Sequence, residues 1–260
     1  MTYFEKLLRV IFDPSLLLRA AWRKLPIGPF ELRSKFDAFD TPAHAYGILQ
    51  AVKQAKSLGI DRISAIEFGV ASGRTFTSIQ KIIQQISQEK GIQIDLYGFD
   101  LGTGLQASDD YRDLLYYWPA GAYPLRTGMD ETKGKIILGD VKDTVPGFAQ
   151  KFTPAPIGFI DFDLDFYTST KAALKIFDTT QTLPRVLCYF DDVNDGDVAL
   201  VNEFVGELLA IKEFNDEHSN MKIGKINGLY STRYFRSRWP DCMYVFQNFK
   251  HPLFNKPINL

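Results

Sequence analysis

Five aspartates in two short stretches are the residues of this 260-residue chain whose types and spacing best suit chemistry. Ile160-Asp161-Phe162-Asp163-Leu164-Asp165-Phe166-Tyr167 sets a carboxylate at every second position, and Phe190-Asp191-Asp192 adds a pair. Each stretch closes an apolar run that reads as a buried strand, so the carboxylates gather at strand ends. Crowded carboxylates repel one another until a cation or protonation relieves them. A divalent ion is the economical explanation, and oxygen-only donors select a hard one, Mg²⁺ or else Mn²⁺ or Ca²⁺, over zinc. If the two strands are neighbours, Asp163 from one and Asp191 with Asp192 from the other reach a single ion. Asp161 points to the same side as Asp163 if its strand continues, which leaves the choice between those two open. One or two of the five cap the helix that starts near Thr170 or face water instead.

A second constellation is Glu67-Phe68-Gly69-Val70-Ala71-Ser72-Gly73, between the apolar run Arg62–Phe68 and an amphipathic run carrying Ile79, Ile82, Ile83 and Ile86. Strand, glycine turn and helix in that order make a nucleotide-binding turn, because missing side chains let a ligand lie against the backbone. Ala71 stands where the dinucleotide pattern needs its middle glycine for a pyrophosphate. A cofactor without a pyrophosphate is favoured. Asp100, at the end of the next strand, stands where an acidic side chain accepts hydrogen bonds from both ribose hydroxyls, so an adenosine without phosphates fits better than NAD. The alternative for Asp100 is a turn-forming aspartate before Gly102.

Asp163-Leu-Asp165-Phe-Tyr167-Thr-Ser169-Thr170 resembles the D-x-D-x-Y-x-S-T block of the macrocin O-methyltransferase family, class I S-adenosylmethionine enzymes that need a divalent metal. Gly139-Asp140-Val141-Lys142-Asp143-Thr144-Val145-Pro146 is similar to that family's G-x-x-x-D-T-x-P segment, and Glu67 to Gly73 to its cofactor turn. Phe99-Asp100 with Gly104-Leu105 resembles its second strand and loop, and Asp191-Asp192 its acidic pair. The resemblance covers roughly residues 60–215. It implies that Glu67, Gly69, Ala71, Ser72 and Gly73 hold the methionine part of S-adenosylmethionine, Asp100 the ribose, and Gly139, Asp140 and Val141 the adenine edge, with Asp161 also at the cofactor. It implies Asp163, Asp191 and Asp192 as metal ligands, with Asp163 and Asp191 at the catalytic centre. The activity implied is methyl transfer to a hydroxyl of a sugar or glycosylated small metabolite. Leu183-Pro184-Arg185 departs from the family, which has two glycines before the fifth strand. His44, His218 and His251 are all distant in sequence from the acidic stretches and read as structural, so the general base is open.

Periodicity supplies the strands and helices around these residues. Arg62–Phe68, Ile92–Phe99, Lys135–Leu138, Ile157–Phe162 and Arg185–Phe190 read as strands. A helix opens at Thr41-Pro42 and closes near Gly59, and others run over Thr170–Phe177 and Val198–Phe214. Such alternation predicts an α/β, Rossmann-like, doubly wound and mostly parallel sheet with helices on both faces. Ligands in such sheets sit beyond the carboxyl ends of the strands, at the switch point. The long connection Leu101–Gly134, with Tyr111, Tyr116, Tyr117, Trp118 and Tyr123, is either a substrate cover or a loop pinned by its own rings. Arg233, Arg236, Arg238 and Trp239 precede the strand-like Cys242–Phe249 in a last hairpin and read as a solvated basic turn, with contact to an anionic substrate group as the alternative.

Residues 1–40 are expected to form an N-terminal helical extension and residues 41–260 the α/β domain. Phe4, Leu7, Leu8 and Ile11, then Leu16, Leu17 and Ala21, recur at helical spacing on either side of Pro14. Packing on the chain's own core is the favoured role for these two helices. With Arg9, Arg19, Arg23 and Lys24 nearby, a membrane surface or a homo-oligomer contact is the alternative.

The chain is 45% apolar and 23% charged, with 30 basic against 31 acidic side chains, which excludes disorder and coiled coil. A net charge of -1 argues against nucleic acid as a partner. Two cysteines are too few for a disulfide framework, and three histidines too few for a zinc cluster, which fits a reducing cytoplasm. No signal peptide is read at the N-terminus, and no apolar run approaches the ~20 residues that span a bilayer. The resemblance implies a small-molecule hydroxyl acceptor. Two other readings compete. Asp161-Phe-Asp163 with Asp191-Asp192 looks like the nucleophile and metal pairs of a haloacid-dehalogenase-type phosphatase, although Asp165 replaces its threonine and the Glu67–Gly73 turn stays unexplained. A catalytically silent methyltransferase-fold interaction protein is the other.

Overall fold

The computed structural model describes residues 15–126, 133–194, 200–235 and 237–258. The helical pattern from Phe4 to Ile11, six residues of the long connection, Val198 and Arg236 lie outside the described residues. The described helices and strands run α1 (Ser15–Lys24), α2 (Phe30–Lys35), α3 (Pro42–Leu58), β1 (Arg62–Phe68), α4 (Arg74–Lys90), β2 (Gln93–Asp100) and β3 (Lys135–Leu138). They continue through α5 (Val141–Thr144), α6 (Phe148–Phe152), β4 (Ile157–Phe162), α7 (Tyr167–Leu174), α8 (Ile176–Thr179), β5 (Thr182–Phe190), α9 (Gly206–Glu217), β6 (Met221–Lys225) and β7 (Met243–Asn248).

The strands form one seven-stranded sheet in the order β3-β2-β1-β4-β5-β7-β6. β1 to β5 are parallel and β7 joins them antiparallel, so the doubly wound, mostly parallel sheet read from the sequence is present. The chain winds outward from β1 through β2 to β3, then crosses to β4 on the other side of β1. That reversal is the switch point where α/β sheets bind ligands.

Local chemistry explains the boundaries. Pro42 starts α3 where its missing N–H is not needed, and Gly59 ends it at φ 75°, a left-handed position that suits glycine. Thr41, expected as the cap, instead bonds the Ser78 hydroxyl at 2.7 Å. β5 begins at Thr182 and passes through Pro184, which has no N–H to give. Its pairing with β4 shifts register there, between Ile157 and Phe159, so the proline falls in the irregularity. Of the helix expected over Val198–Phe214, the described part begins at Gly206, beyond left-handed Leu200.

Two adjacent rows across the sheet carry opposite chemistry, because successive strand residues face opposite sides. Phe99, Phe68, Phe162 and Phe190 stand in register and are fully buried. Neighbouring rings lie 4.8, 5.3 and 4.5 Å apart, contributing roughly 0.5–1.5 kcal/mol per pair beyond burial. Phe177 of α8 stacks on Phe246 and also touches Phe162, which closes the core on that face. One residue earlier, Glu67, Asp161 and Tyr189 form a polar row on the opposite face, beneath α3. Phe30 and Phe39 belong to the same core as the sheet, so the chain from α2 onward packs on the domain itself.

Candidate functional site

Backbone hydrogen bonds continue three strands past their ends and hold the loops in register. Gly69 N–H donates to Phe99, Asp163 N–H to Phe68 and Gly139 N–H to Asp100, at 2.9 to 3.0 Å. A cleft of about 410 Å³ opens above these ends. Glu67, Gly69, Ala71 and Ser72 line its middle, with Asp100 and Gly139–Val141 to one side and Asp163, Asp165, Asp191 and Asp192 to the other. Gly73 does not reach the cleft; it starts α4 from a left-handed position, φ 69°.

The turn after β1 is built for close approach. Gly69 sits at φ 87°, and a Cβ there would lie 1.8 Å from the Asp163 carbonyl oxygen. Asp100 braces this turn: its Oδ2 accepts from Val70 N–H at 2.9 Å and Ala71 N–H at 2.8 Å, and its Oδ1 from Gly102 N–H at 2.6 Å. Three of roughly four lone-pair positions are thus taken by backbone, leaving Oδ1 one for a ligand. Both the turn-forming and the ligand-facing readings of Asp100 therefore have a geometric basis. Asp140 caps α5 through Lys142 N–H and also accepts from Gln106.

Among the described residues, Asp163, Asp165 and Asp192 bring carboxylate oxygens within 4.8 Å of one another. Asp165 N–H donates to Asp192 Oδ2 at 3.0 Å, and Asp165 reaches back because its backbone turns left-handed, φ 61°. Burial, then repulsion from Asp192, Asp161, Asp191 and Asp165, pushes the Asp163 carboxyl well above its ordinary range. A hard divalent cation would relieve that repulsion, and three carboxylates match its donor preference. Asp191, expected in this set, lines the cleft beside it, with Oδ1 taking the Tyr189 hydroxyl at 2.8 Å. Asp165 holds the third place. Glu207, which sequence reasoning missed, supports the cluster from α9 by accepting Asp192 N–H at 3.1 Å. Burial and Asp192 hold its carboxyl well above the ordinary range.

Asp161, expected at the cofactor, does not line the cleft. It is 1% exposed, and its Oδ2 pairs with His44 Nε2 of α3 at 2.7 Å. The sequence places no histidine near the acidic stretches; the fold does, across 117 positions. Burial raises the Asp161 carboxyl and His44 pulls it back. Enclosed in this way, Asp161 cannot attack a phosphate as the phosphatase reading requires. Glu67, next in the row, is fully buried with neither carboxylate oxygen hydrogen-bonded. Burial, then Asp161 and Asp100, push its carboxyl well up, with the Phe76 backbone of α4 acting in the other direction. An unbonded carboxylate at the cleft wall fits a ligand donor or cation.

The long connection after β2 lines part of the cleft, and its rings also meet one another, Trp118 lying 4.3 Å from Tyr117 and 6.3 Å from Tyr123. Tyr117, Trp118 and Tyr123 line the cleft, whereas Tyr111 and Tyr116 are 77% and 65% exposed. Arg126 N–H donates to Ala71 at 2.8 Å, tying the described end of the connection to the turn after β1.

The doubly wound, Rossmann-like sheet with a cleft at its switch point is a fold shared with solved methyltransferase structures. The calicheamicin methyltransferase CalS11 matches with a TM-score of 0.52 at 18% identity, over 78% of this chain and 79% of that chain. The O-methyltransferase NovP matches at 0.52 and 14% identity, over 79% of each chain. No protein-family model and no curated protein matches the sequence. Among the described residues, no helix is long and apolar enough to cross a membrane.

Proposed function

We propose that the chain is a metal-dependent O-methyltransferase, related to the macrocin O-methyltransferase family, that moves a methyl group from S-adenosylmethionine to a hydroxyl of a sugar or glycosylated small metabolite. The observation that carries this reading is one cleft with a nucleoside-type seat on one wall and a hard-cation donor set on the other. CalS11 and NovP, which share the fold, are both methyltransferases. When bound, the cofactor supplies an electrophilic methyl on sulfur and a divalent ion lowers the pKa of a hydroxyl it contacts.

The chain's own residues do the rest. The backbone from Gly69 to Ser72 seats the methionine part, with Glu67 facing its ammonium. Asp100 takes a ribose hydroxyl on the free lone pair of Oδ1, and Gly139 to Val141 border the adenine. Asp163, Asp165 and Asp192 hold the ion. Asp191, fixed by Tyr189 and outside that triad, accepts the acceptor's proton. Tyr117, Trp118 and Tyr123 exclude water and align the acceptor, and alignment supplies most of the acceleration in such a transfer. Cys188 and Cys242 are free and buried, which supports a reducing compartment such as the cytoplasm.

Calorimetric titration with S-adenosylhomocysteine, with and without Mg²⁺, tests the reading. Micromolar binding is expected in the wild type, weakened by Asp100→Ala at least about tenfold, since that change frees three backbone donors. A methyl-acceptor screen over glycosides and phenols follows. Absence of binding under either condition overturns the reading.

A further inference from the structure

The segment 163–166 carries two of the three clustered carboxylates and has no slack. At one end Asp163 N–H is bonded to Phe68 of β1 at 2.9 Å. At the other, α7 begins after Phe166, whose side chain provides no cap. A helix start leaves its first N–H groups without intrahelical partners. The missing cap comes from the long connection, 55 positions earlier: Asp113 Oδ1 accepts Thr168 N–H at 2.8 Å, and its Oδ2 accepts the Thr168 hydroxyl at 2.9 Å. Ser108 donates to the same Oδ2 at 2.6 Å, and Asp113 is fully buried.

Apolar packing reinforces this tie. Leu114 and Trp118 of the connection form a small separate core with Phe166, against which Val201 and Val205 pack from the segment after Asp192. Arg112 lies 4.2 Å over the Tyr167 ring and donates to its hydroxyl at 3.0 Å. The connection, Phe166 next to Asp165, and the chain following Asp192 thus meet in one satellite core.

We propose that Asp113 is a positioning residue for the acidic triad: by capping α7 in trans it holds Asp163 and Asp165 against Asp192, and so couples divalent-ion binding to docking of the long connection. The proposal rests on the reading of the triad as a cation site. Partners outside the ligand set commonly change metal affinity about 10–100-fold when removed, because they fix ligand orientation. Coupling is reciprocal, so an ion at the triad must also tighten the connection.

The test uses the full chain and Mn²⁺ alone, by calorimetry and by amide hydrogen exchange over residues 105–118. In the wild type Mn²⁺ binds and slows exchange there. Asp113→Ala is expected to weaken Mn²⁺ binding by roughly tenfold or more and to abolish the slowing, with affinity for S-adenosylhomocysteine unchanged. Asp113→Asn, which keeps an acceptor for Thr168 N–H, should recover most of the affinity; a merely destabilised fold would lose cofactor binding as well. If Asp113→Ala does not fold, Thr168→Val and Ser108→Ala each remove one bond to the same carboxylate, and a graded loss of Mn²⁺ affinity is expected. Unchanged Mn²⁺ affinity in folded variants overturns the proposal alone. Absence of Mn²⁺ binding by the wild type overturns the cation-site reading and the proposal together.

Discussion

Asp161 and Asp163 are two positions apart in one acidic block and stand in different surroundings. Asp163 emerges past the end of β4 into the cleft, while Asp161 stays within the strand, under α3, paired with His44. The pair is nearly enclosed, with side chains 6% and 1% exposed. Removing one partner of a buried pair leaves an uncompensated charge, so His44→Ala is expected to cost about 3 kcal/mol in denaturant unfolding. Replacing both residues by leucine should recover most of that loss, because apolar side chains of similar volume often match a buried ion pair. A single variant as stable as the wild type would mean that Asp161 is protonated and needs no partner. His44 was invisible as a site-adjacent residue because nothing in local spacing brings a helix position to a strand 117 residues away.

At the scale of elements, the strand-turn-helix from Arg62 to Lys90 is legible in the sequence, and its boundaries fall where the apolar pattern changes period. The turn also depends on a neighbour, since Gly69 packs against the backbone of the segment after β4. Gly69→Ala adds a Cβ at φ 87° and 1.8 Å from the Asp163 carbonyl. The left-handed conformation alone costs of order 1–3 kcal/mol. The contact with backbone adds to it and displaces Asp163. Urea unfolding should therefore show a loss of at least about 2 kcal/mol, and titrations should show weaker binding of both S-adenosylhomocysteine and Mn²⁺. Normal affinity for both would mean that the turn and the acidic segment are not a single seat. β6 is not legible in the sequence, because Met221–Lys225 alternates weakly and is only partly buried at the sheet edge.

Over the whole molecule, a chain with net charge -1 concentrates carboxylates at one end of its sheet. Burial raises the carboxyls of Glu67, Asp163 and Glu207 above their unfolded values. A raised carboxyl binds its proton more tightly when folded, so its contribution to stability is complete below the unfolded pKa and is lost as pH rises through the folded one. Metal-free protein is therefore expected to melt at a higher temperature near pH 5 than near pH 8, apart from other titrating groups. Glu67→Gln should raise the melting temperature at pH 8, leave it nearly unchanged in acid and flatten the slope between. Scanning calorimetry across that range checks the sign; a slope unaffected by Glu67→Gln would show that Glu67 carries its charge without cost in the fold.

Local sequence encodes the sheet class, the glycine turn at Glu67–Gly73, Asp100 at the end of β2 and the acidic blocks at the ends of β4 and β5. These are properties of local periodicity and of short spacing, which a single strand-turn-helix unit already expresses. Tertiary structure alone decided which carboxylates meet. The left-handed turn at Asp165 brings it to Asp163 and Asp192, Tyr189 holds Asp191 beside them, and His44 holds Asp161 away from the cleft. It also brought Glu207 to Asp192 and Asp113 to the start of α7. Those outcomes depend on strand order and on helices crossing one face of the sheet, long-range contacts that local spacing does not encode.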